Sequence, residues 1–221
     1  MNIVVIGLGN FGASLAKILT TQGHDVLGVD NDLQRVEFFK DAIVNTICLD
    51  ATDPHALKIL PLNEADVFVV CIGDDFGISV KIAALLRKFG AKRVISRESS
   101  SIHLTVLNSI GISETINPEY ESARTLSQKL PIKGIQNLFS ISETFKIIDL
   151  PMPKLLIGGS FSPSEFRKDS HLKIVALKRN GRIVYSSAQA AENEDLKEIV
   201  FKENDTIVLA GDIKDIKRFL K

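Results

Sequence analysis

The sequence predicts an α/β protein in which a doubly wound parallel sheet is followed by a small α+β domain. Short β-branched runs without polar alternation recur through the first 117 residues, and a glycine motif follows the first of them. An Asn-Gly dipeptide lies between two later β-rich runs. Apolar runs of this kind are typical of strands buried on both faces, as in parallel sheets.

Six strands are predicted in the first part of the chain, separated by amphipathic helical segments. This alternation is typical of helices packed on both faces of a parallel sheet. The predicted strands are residues 3–6, 26–29, 46–49, 67–72, 94–96 and 114–117.

The helical segments between these strands show apolar side chains at helical spacing and recognisable end signals. Gly23 and Gly90 stand where helix C-caps are expected, and Asp53-Pro54 is typical of an N-cap followed by the first helical residue. The two predicted apolar faces are Phe11, Leu15, Ile18 and Leu19 in one helix, and Ile78, Ile82, Leu85 and Phe89 in another.

The pattern changes after a helix that Asn117-Pro118 opens and that is predicted to reach residue 130. Pro131 and Gly134 indicate a boundary. We predict strands at 145–150 and 205–211, a terminal helix at 213–220, and a hairpin turning at Asn180-Gly181, which is a strong hairpin signal. The predicted domains are residues 1–137 and 138–221.

The glycine motif, Gly7-Leu8-Gly9-Asn10-Phe11-Gly12, lies between the first strand and the first helix. Gly7 permits a tight turn, Gly9 lets a pyrophosphate approach the backbone, and Gly12 lets helix and strand pack closely. The helix N-terminus would offer free N–H groups and a positive dipole end to phosphates. This context predicts a Rossmann-like nucleotide site; a glycine turn that has lost its ligand is the alternative.

Acidic and small residues follow the next strands at the same predicted edge of the sheet. Asp30, 18 residues past Gly12, would accept hydrogen bonds from ribose hydroxyls and repel a 2′-phosphate, which predicts an adenine nucleotide or NAD(H) rather than NADP(H). Asp50, Thr52 and Asp74 stand at carboxyl ends of strands, where ligands bind in open α/β sheets, although turn and cap roles explain them equally well.

Composition excludes several classes of protein. Lys plus Arg and Asp plus Glu number 27 each, so the net charge is zero, which argues against nucleic-acid binding and makes self-association plausible. No apolar stretch is long enough for a membrane span, and no targeting signal precedes the first strand, so we expect a cytoplasmic protein. Cys48 and Cys71 lie in apolar runs, and we expect both to be buried, inert thiols.

Several segments resemble the RCK (KTN) regulatory subunits of bacterial Trk/Ktr potassium uptake systems. The opening Val-Ile-Gly-Leu-Gly-Asn-Phe-Gly resembles the family's first strand and turn, and Asp50-Ala51-Thr52 resembles its D-A-T signature. The segments 23–30, 94–97 and 112–119 are similar to its second, fifth and sixth strands. The tail from Phe166-Arg167 onward resembles the C-terminal RCK domain, so the resemblance covers almost the whole chain.

The resemblance implies a cytosolic, non-catalytic protein that works at the inner face of the membrane. Such subunits form homodimers, commonly in eight-membered rings, beneath a membrane potassium-translocating subunit, and bound NAD(H), ADP or ATP changes the ring's shape and gates transport. Some members bind cyclic di-AMP between C-terminal domains, where Arg167 would match an arginine. The implied nucleotide-site residues are Gly7, Gly9, Asn10, Phe11, Gly12, Asp30, Asn31, Asp50, Ala51, Thr52, Ile72, Gly73, Asp74 and Arg97.

One departure from the family affects the predicted ligand. The Ktr branch often carries arginine where this chain has Asn10, and that arginine can pair with a terminal phosphate and with a dimer-seam glutamate, matched here by Glu119. Asn10 supplies no charge, so NAD(H) or ADP becomes more favoured than ATP. Glu119 is explained equally well as a first-turn acid that complements the helix dipole.

Other candidate sites are weaker. The four histidines show no metal-ligand spacing, which favours structural or surface roles. Lys178, Arg179 and Arg182 beside the hairpin turn are expected to be solvated, with contact to an anionic ligand or partner as the less favoured alternative. An NAD-dependent oxidoreductase remains the alternative function, but the second module is small and His171 is its sole histidine. A redox-sensing DNA-binding protein would need a basic recognition element, which the balanced charge argues against.

Overall fold

The computed structural model describes residues 1–132, 134–161, 172–188 and 199–220. Arg167, predicted to bind a second ligand, and His171 lie outside the described residues. The chain divides into two compact units, Met1–Glu121 and Ser122–Lys221. The domain boundary predicted between residues 137 and 138 stays a prediction.

The first unit contains a six-stranded sheet in the order β3-β2-β1-β4-β5-β6, with every neighbouring pair parallel. All six predicted strands are confirmed within one or two residues. The strands are β1 Asn2–Ile6, β2 Asp25–Asp30, β3 Asn45–Cys48, β4 Val67–Val70, β5 Val94–Arg97 and β6 Glu114–Ile116. The helices are α1 Asn10–Thr21, α2 Leu33–Phe39, α3 Pro54–Leu57, α4 Phe76–Lys88, α5 Ser101–Ser109 and α6 Pro118–Lys129.

The two faces of this sheet pack against separate apolar clusters, because successive side chains of a strand point to opposite faces. Val4 and Ile6 lie in a cluster with Ile82 of α4, whereas Val5 lies in a cluster with Ala16 of α1. Both clusters are buried, which explains why β1 and β4 are apolar at every central position. The doubly wound architecture predicted from the sequence is confirmed.

Local signals place the helix ends where the sequence predicts them. Gly23 and Gly90 have φ of 85° and 84°, the left-handed conformation that closes a helix. The Asp53 carboxylate caps α3 by accepting the His55 N–H at 2.9 Å. The predicted apolar face of α1 is wrong at Ile18, which is 55% exposed, because Ala13 and Ala16 make the close contact with the sheet.

The second unit is built around an antiparallel five-stranded sheet in the order β11-β10-β13-β8-β7. A separate two-stranded sheet pairs β12 with β9. The strands are β7 Asn137–Ser140, β8 Phe145–Pro151, β9 Ser160–Phe161, β10 Leu172–Arg179, β11 Arg182–Ser186, β12 Ile199–Val200 and β13 Asp205–Asp212. A 3₁₀ turn spans Lys154–Leu156, and the last helix, α7, spans Ile213–Phe219.

The hairpin between β10 and β11 is confirmed at the predicted dipeptide. Asn180 and Gly181 have φ of 51° and 78°, the pair of positive values that a type I′ turn needs. The short strands β7, β9 and β12 were not predicted, because four or fewer residues carry little periodicity.

The basic cluster beside this turn departs from the expected solvated state. Arg179 makes a two-pronged ion pair with the buried Asp205 carboxylate, at 2.8 and 2.9 Å, and its guanidinium also donates to the Val200 carbonyl oxygen at 2.9 Å. The pairing of β10 with β13 brings Arg179 opposite Asp205, which a local charge pattern cannot reveal. Lys178 lies 3.6 Å from Asp149, and Arg182 is exposed as predicted.

Among the described residues, no helix combines the length and apolar character that spanning a membrane requires.

Candidate functional site

A cavity of about 840 Å³ opens at the carboxyl ends of β1 to β5. This is the edge where ligands bind in doubly wound sheets, and the volume lies within the range of small-molecule sites. Of the predicted nucleotide-site residues, all but Gly12 line this cavity, as does the predicted dimer-seam residue: Gly7, Gly9, Asn10, Phe11, Asp30, Asn31, Asp50, Ala51, Thr52, Ile72, Gly73, Asp74, Arg97 and Glu119.

The glycine motif forms the turn between β1 and α1. Gly7 has a φ of 97°, which a side chain would strain, and its N–H donates to the Val29 carbonyl oxygen at 2.7 Å. A Cβ on Gly12 would overlap the Gly7 carbonyl oxygen and approach Cys71 Cβ to 2.9 Å. Gly12 therefore lies behind the cavity wall and permits the close approach of helix and strand.

Gly9 faces open space and begins the helix. A Cβ at Gly9 would meet no atom within 4 Å, so its lack of a side chain is not required for packing. Gly9 is the N-cap of α1, and no side chain hydrogen-bonds to the cap. The first N–H groups of α1 thus remain available to an anion, and the helix dipole favours negative charge there.

Asp30 ties the glycine motif to the end of β2. Its carboxylate is buried and accepts the Leu8 N–H at 2.6 Å and the Asp32 N–H at 2.9 Å. Arg35, at 3.7 Å, supplies a positive charge nearby. Each carboxylate oxygen has a further lone pair, so Asp30 can support the glycine loop and still accept a hydrogen bond from a ligand.

Asp50 and Thr52 form a tight turn at the end of β3. Hydrogen bonds from Thr52, including its backbone N–H at 2.9 Å, hold the pKa of Asp50 below its usual value, and Lys81 across the cavity adds a smaller electrostatic contribution in the same direction. Asp50 is therefore a carboxylate on the cavity wall at neutral pH. Both explanations given for these residues, turn chemistry and ligand contact, are compatible with this geometry.

Arg97, at the end of β5, closes the opposite end of the cavity. Its guanidinium lies against Gly73, where any Cβ would overlap it, and it forms a short ion pair with the Glu119 carboxylate at the start of α6. The Nε of Arg97 is buried and, among the described residues, has no hydrogen-bond partner. The side chain is 19% exposed, so it is held in place while presenting charge to the cavity.

Several cavity residues were missed from the sequence. Arg35 lies five residues past Asp30, and Ile78, Lys81 and Ile82 share one face of α4 at helical spacing. A helix that starts beside a strand end presents its first turns to the same cavity, so this spacing was an available signal.

The two cysteines differ. Burial raises the pKa of the Cys71 thiol to about 12, so the predicted inert, buried thiol is confirmed there. The prediction is wrong for Cys48, which is exposed because it ends β3, the edge strand of the sheet. The Cys48 thiol lies 3.6 Å from the Asn31 carbonyl oxygen.

No group of three or more metal-ligating side chains occurs within the described ranges. His103 is buried in α5, whereas His55 is exposed on α3. The charged groups of the cavity wall are carboxylates and three basic side chains, Arg35, Lys81 and Arg97.

Comparison with known proteins relates this site to one family. The model of the TrkA-N domain matches residues 3–118, which contain every residue of the cavity wall except Glu119. The Ktr system potassium uptake protein C of Bacillus subtilis is 28% identical over 217 residues, covering 98% of this chain and 95% of that protein. The Ktr system potassium uptake protein A of the same organism is 29% identical over 215 residues, covering 97% and 93%.

Solved structures share the fold. The GsuK RCK domain superposes with a TM-score of 0.61 at 18% identity, covering 99% of this chain and 46% of that chain, so this chain spans about half its length. The GsuK channel bound to NAD gives a TM-score of 0.59 at 18% identity, covering 97% and 38%. The family model covers more than half of the sequence and the glycine loop lies within it, so the chain belongs to the TrkA-N domain family.

Proposed function

We propose that this protein is a non-catalytic regulatory subunit of a potassium uptake system and that it binds an adenine nucleotide in the cavity at the carboxyl ends of β1 to β5. The observation that carries the proposal is the glycine loop, with free N–H groups at the start of α1 and the buried Asp30 beside it. The names of the two Bacillus subtilis relatives, each covering most of the chain, support the transport role.

The phosphates of the nucleotide lie against the N-terminus of α1, and its adenosine ribose reaches Asp30. The carboxylate of Asp30 would repel a 2′-phosphate, so NAD(H), ADP and ATP are the proposed ligands rather than NADP(H). Asn10, which lines the cavity, brings no positive charge for a terminal phosphate, which favours NAD(H) or ADP. The GsuK structure bound to NAD supports a dinucleotide in this fold.

Regulation requires that the nucleotide bind one conformation more tightly than another, since only that difference shifts the population. The ion pair between Arg97 and Glu119 offers such a difference. Ligand phosphates at the cavity compete with Glu119 for the Arg97 guanidinium, so binding alters the start of α6.

Helix α6 is the proposed contact with a second copy of the chain. None of its residues is buried, and Tyr120 and Leu126 are 63% and 57% exposed. We propose a homodimer that assembles further into a ring, of eight copies by the resemblance, in the cytoplasm against a membrane potassium-translocating subunit. A cyclic di-AMP site involving Arg167 belongs to the same proposal.

The test is titration of the purified protein with NAD⁺, NADH, ADP, ATP and cyclic di-AMP while its mass is followed by light scattering. We expect binding of at least one adenine nucleotide by a dimer or larger assembly. A monomer that binds none of these ligands would overturn the proposal. Turnover of NADH with carbonyl substrates would replace the regulatory function with the oxidoreductase alternative.

A further inference from the structure

His103 is a buried histidine in the first turn of α5, outside the cavity wall. The residue is 1% exposed, and its own N–H donates to the Ser100 hydroxyl at 3.2 Å. Two segments lead out of the neighbouring strands β4 and β5, and the imidazole contacts a residue of the second segment and the residue that follows the first. We name them the β4 loop, residues 71–75, and the β5 loop, residues 98–100.

The first contact of the imidazole is with the β5 loop. The Ser99 N–H donates to His103 Nδ1 at 3.3 Å, and the Ser99 hydroxyl lies at the same distance from that nitrogen. A backbone N–H can only donate, so Nδ1 is the acceptor and the proton of the neutral ring sits on Nε2. Nε2 is buried and has no hydrogen-bond partner among the described residues.

The second contact is with the residue that follows the β4 loop. The ring of Phe76 meets the imidazole edge to face, with 4.8 Å between centroids and 78° between planes. Phe76 is the first residue of α4, and its neighbours Asp74, Asp75 and Gly77 line the cavity. The β5 loop in turn follows directly after Arg97.

We infer that His103 is a positioning residue for the nucleotide site: through Ser99 it holds the segment that follows Arg97, through Phe76 it holds the start of α4, and residues beside both contacts line the cavity. This inference rests on the proposed function for its ligand. It also goes beyond core packing, because a buried side chain of the same size without an acceptor at Nδ1 would leave the Ser99 N–H unpaired.

Protonation of His103 opposes this arrangement. The imidazolium is a donor at both nitrogens, so it cannot accept the Ser99 N–H. Burial lowers the pKa of His103, while Glu98 opposes that shift; the groups that contact the ring, Ser99 and Phe76, are neutral. The neutral ring is therefore the form that holds the two loops, and nucleotide affinity falls as pH falls through the pKa of His103.

The experiment measures NAD⁺ affinity from about pH 5 to pH 8, a range that extends below the ordinary histidine pKa of about 6.5 because burial lowers the pKa of His103. NAD⁺ is used because its phosphates are diesters and do not titrate in this range. The wild type is compared with His103→Asn, which keeps an acceptor near Nδ1 but does not titrate, and with His103→Phe, which keeps a ring against Phe76. His24→Asn is the matched control, because His24 lies at the amino end of β2 and the cavity lies at the carboxyl ends of the strands.

We expect the affinity of the wild type and of His24→Asn to fall about fivefold toward the acid end, the effect of losing one partly buried hydrogen bond. His103→Asn should show a flat profile, and His103→Phe should bind about fivefold more weakly at pH 8. A flat wild-type profile, or an unchanged acid response in His103→Asn, would overturn the inference.

Two further measurements separate this inference from folding and from the proposed function. Phe76 is 42% exposed, so Phe76→Leu should not impair folding. It should lower NAD⁺ affinity, and its effect should not add to that of the His103 variants. If the effects are additive, the two residues do not act together. Hydrogen exchange of the free protein should speed up in both loops when His103 is changed, and unchanged exchange there would refute positioning. If exchange becomes faster in the His103 variants but the wild type binds no nucleotide, the positioning role of His103 is supported and the proposed function is contradicted.

Discussion

The two units of the molecule each bury a carboxylate, but they satisfy it in different ways. In the second unit, Asp205 is 1% exposed and both its oxygens accept from the Arg179 guanidinium. In the first unit, Asp30 is 5% exposed and its oxygens accept from the backbone N–H groups of Leu8 and Asp32. Asp205 is closed within a sheet, whereas Asp30 opens onto the cavity.

This difference separates a structural charge from a site charge. A guanidinium in bidentate contact neutralises its carboxylate and donates a hydrogen bond to each of the two oxygens. The backbone donors and the more distant Arg35, at 3.7 Å, hold the Asp30 carboxylate without occupying all of its lone pairs, so it can still accept a hydrogen bond from a ligand. We therefore expect changes at the Arg179–Asp205 pair to affect stability alone, and changes around Asp30 to affect nucleotide binding.

The largest expected effect comes from Gly12→Ala. The new Cβ would overlap the Gly7 carbonyl oxygen, and a backbone atom cannot rotate out of the way. We expect the free energy of unfolding to fall by about 3 kcal/mol or more, measured by urea denaturation. Gly9→Ala is the matched control in the same motif, because its Cβ meets no atom within 4 Å.

Gly9→Ala also tests ligand binding. It should unfold like the wild type but bind NAD⁺ more weakly, since its methyl group occupies the space where a pyrophosphate approaches the backbone. If Gly12→Ala were as stable as Gly9→Ala, Gly12 would not be needed for the close approach of α1 to β1.

The second prediction concerns the closed pair of the second unit. Arg179→Met leaves the buried Asp205 carboxylate with the Lys202 N–H at 2.8 Å and without its cation. We expect the free energy of unfolding to fall by about 2 to 3 kcal/mol, which is less than the loss of a fully buried pair would cost because Arg179 is partly exposed. Arg182→Met, on the exposed side of the same hairpin, should change stability little. Nucleotide affinity should be unaffected by either change, and weaker binding in Arg179→Met would show that this ion pair is not purely structural.

The ion pair between Arg179 and Asp205 also makes the stability of the protein depend on pH in the acid range. The hydrogen-bonded Arg179 holds the pKa of Asp205 below its usual value. A lowered carboxyl pKa contributes stability that is present above the pKa of the unfolded chain and lost as pH falls through that of the folded state. Below about pH 4, wild-type stability should therefore decline more steeply than that of Arg179→Met, measured by urea unfolding across pH. Parallel curves would remove Asp205 from acid unfolding.

The third prediction tests the open carboxylate. Asp30→Asn removes the charge and leaves one acceptor oxygen for the two N–H groups of Leu8 and Asp32, so the glycine loop is held less firmly and the ribose of the proposed ligand loses a charged acceptor. We expect NAD⁺ affinity to fall about tenfold, measured by calorimetry. Asp32→Asn is the control, because asparagine caps a helix as well as aspartate does and the bond to the Gln34 N–H is kept. Equal affinity in Asp30→Asn and the wild type would remove Asp30 from the site.

The sequence predicted most of the first unit because its signals are local. Buried strands, the glycine motif and the cap at Asp53 each depend on a few consecutive residues, and the positions of nearly all predicted site residues at one cavity follow from strand order. The errors arise where a residue's surroundings come from distant chain segments. Ile18 is exposed because alanines pack more closely on the sheet, and Cys48 is exposed because no strand covers β3.

The second unit was harder to predict for the same reason. Arg179 and Asp205 are 26 residues apart and meet through the antiparallel pairing of β10 with β13, and no local pattern marks that contact. Lys81 was missed although it shares a helix face with Ile82, because its distance to Asp50 depends on how α4 sits over the strand ends.

The smallest expected effect tests the other end of the cavity. Glu119→Gln weakens the ion pair to Arg97 and leaves the guanidinium free for ligand phosphates, so affinity for ADP should rise about threefold, in line with a pair whose acid is 65% exposed. Glu121→Gln, in the same turn of α6, has no ion pair among the described residues and is the control. If Glu119 instead contacts the ligand or a second copy of the chain, Glu119→Gln should lower ADP affinity or shift the dimer mass. The sign of the change therefore decides whether Glu119 competes with the nucleotide or helps to hold it.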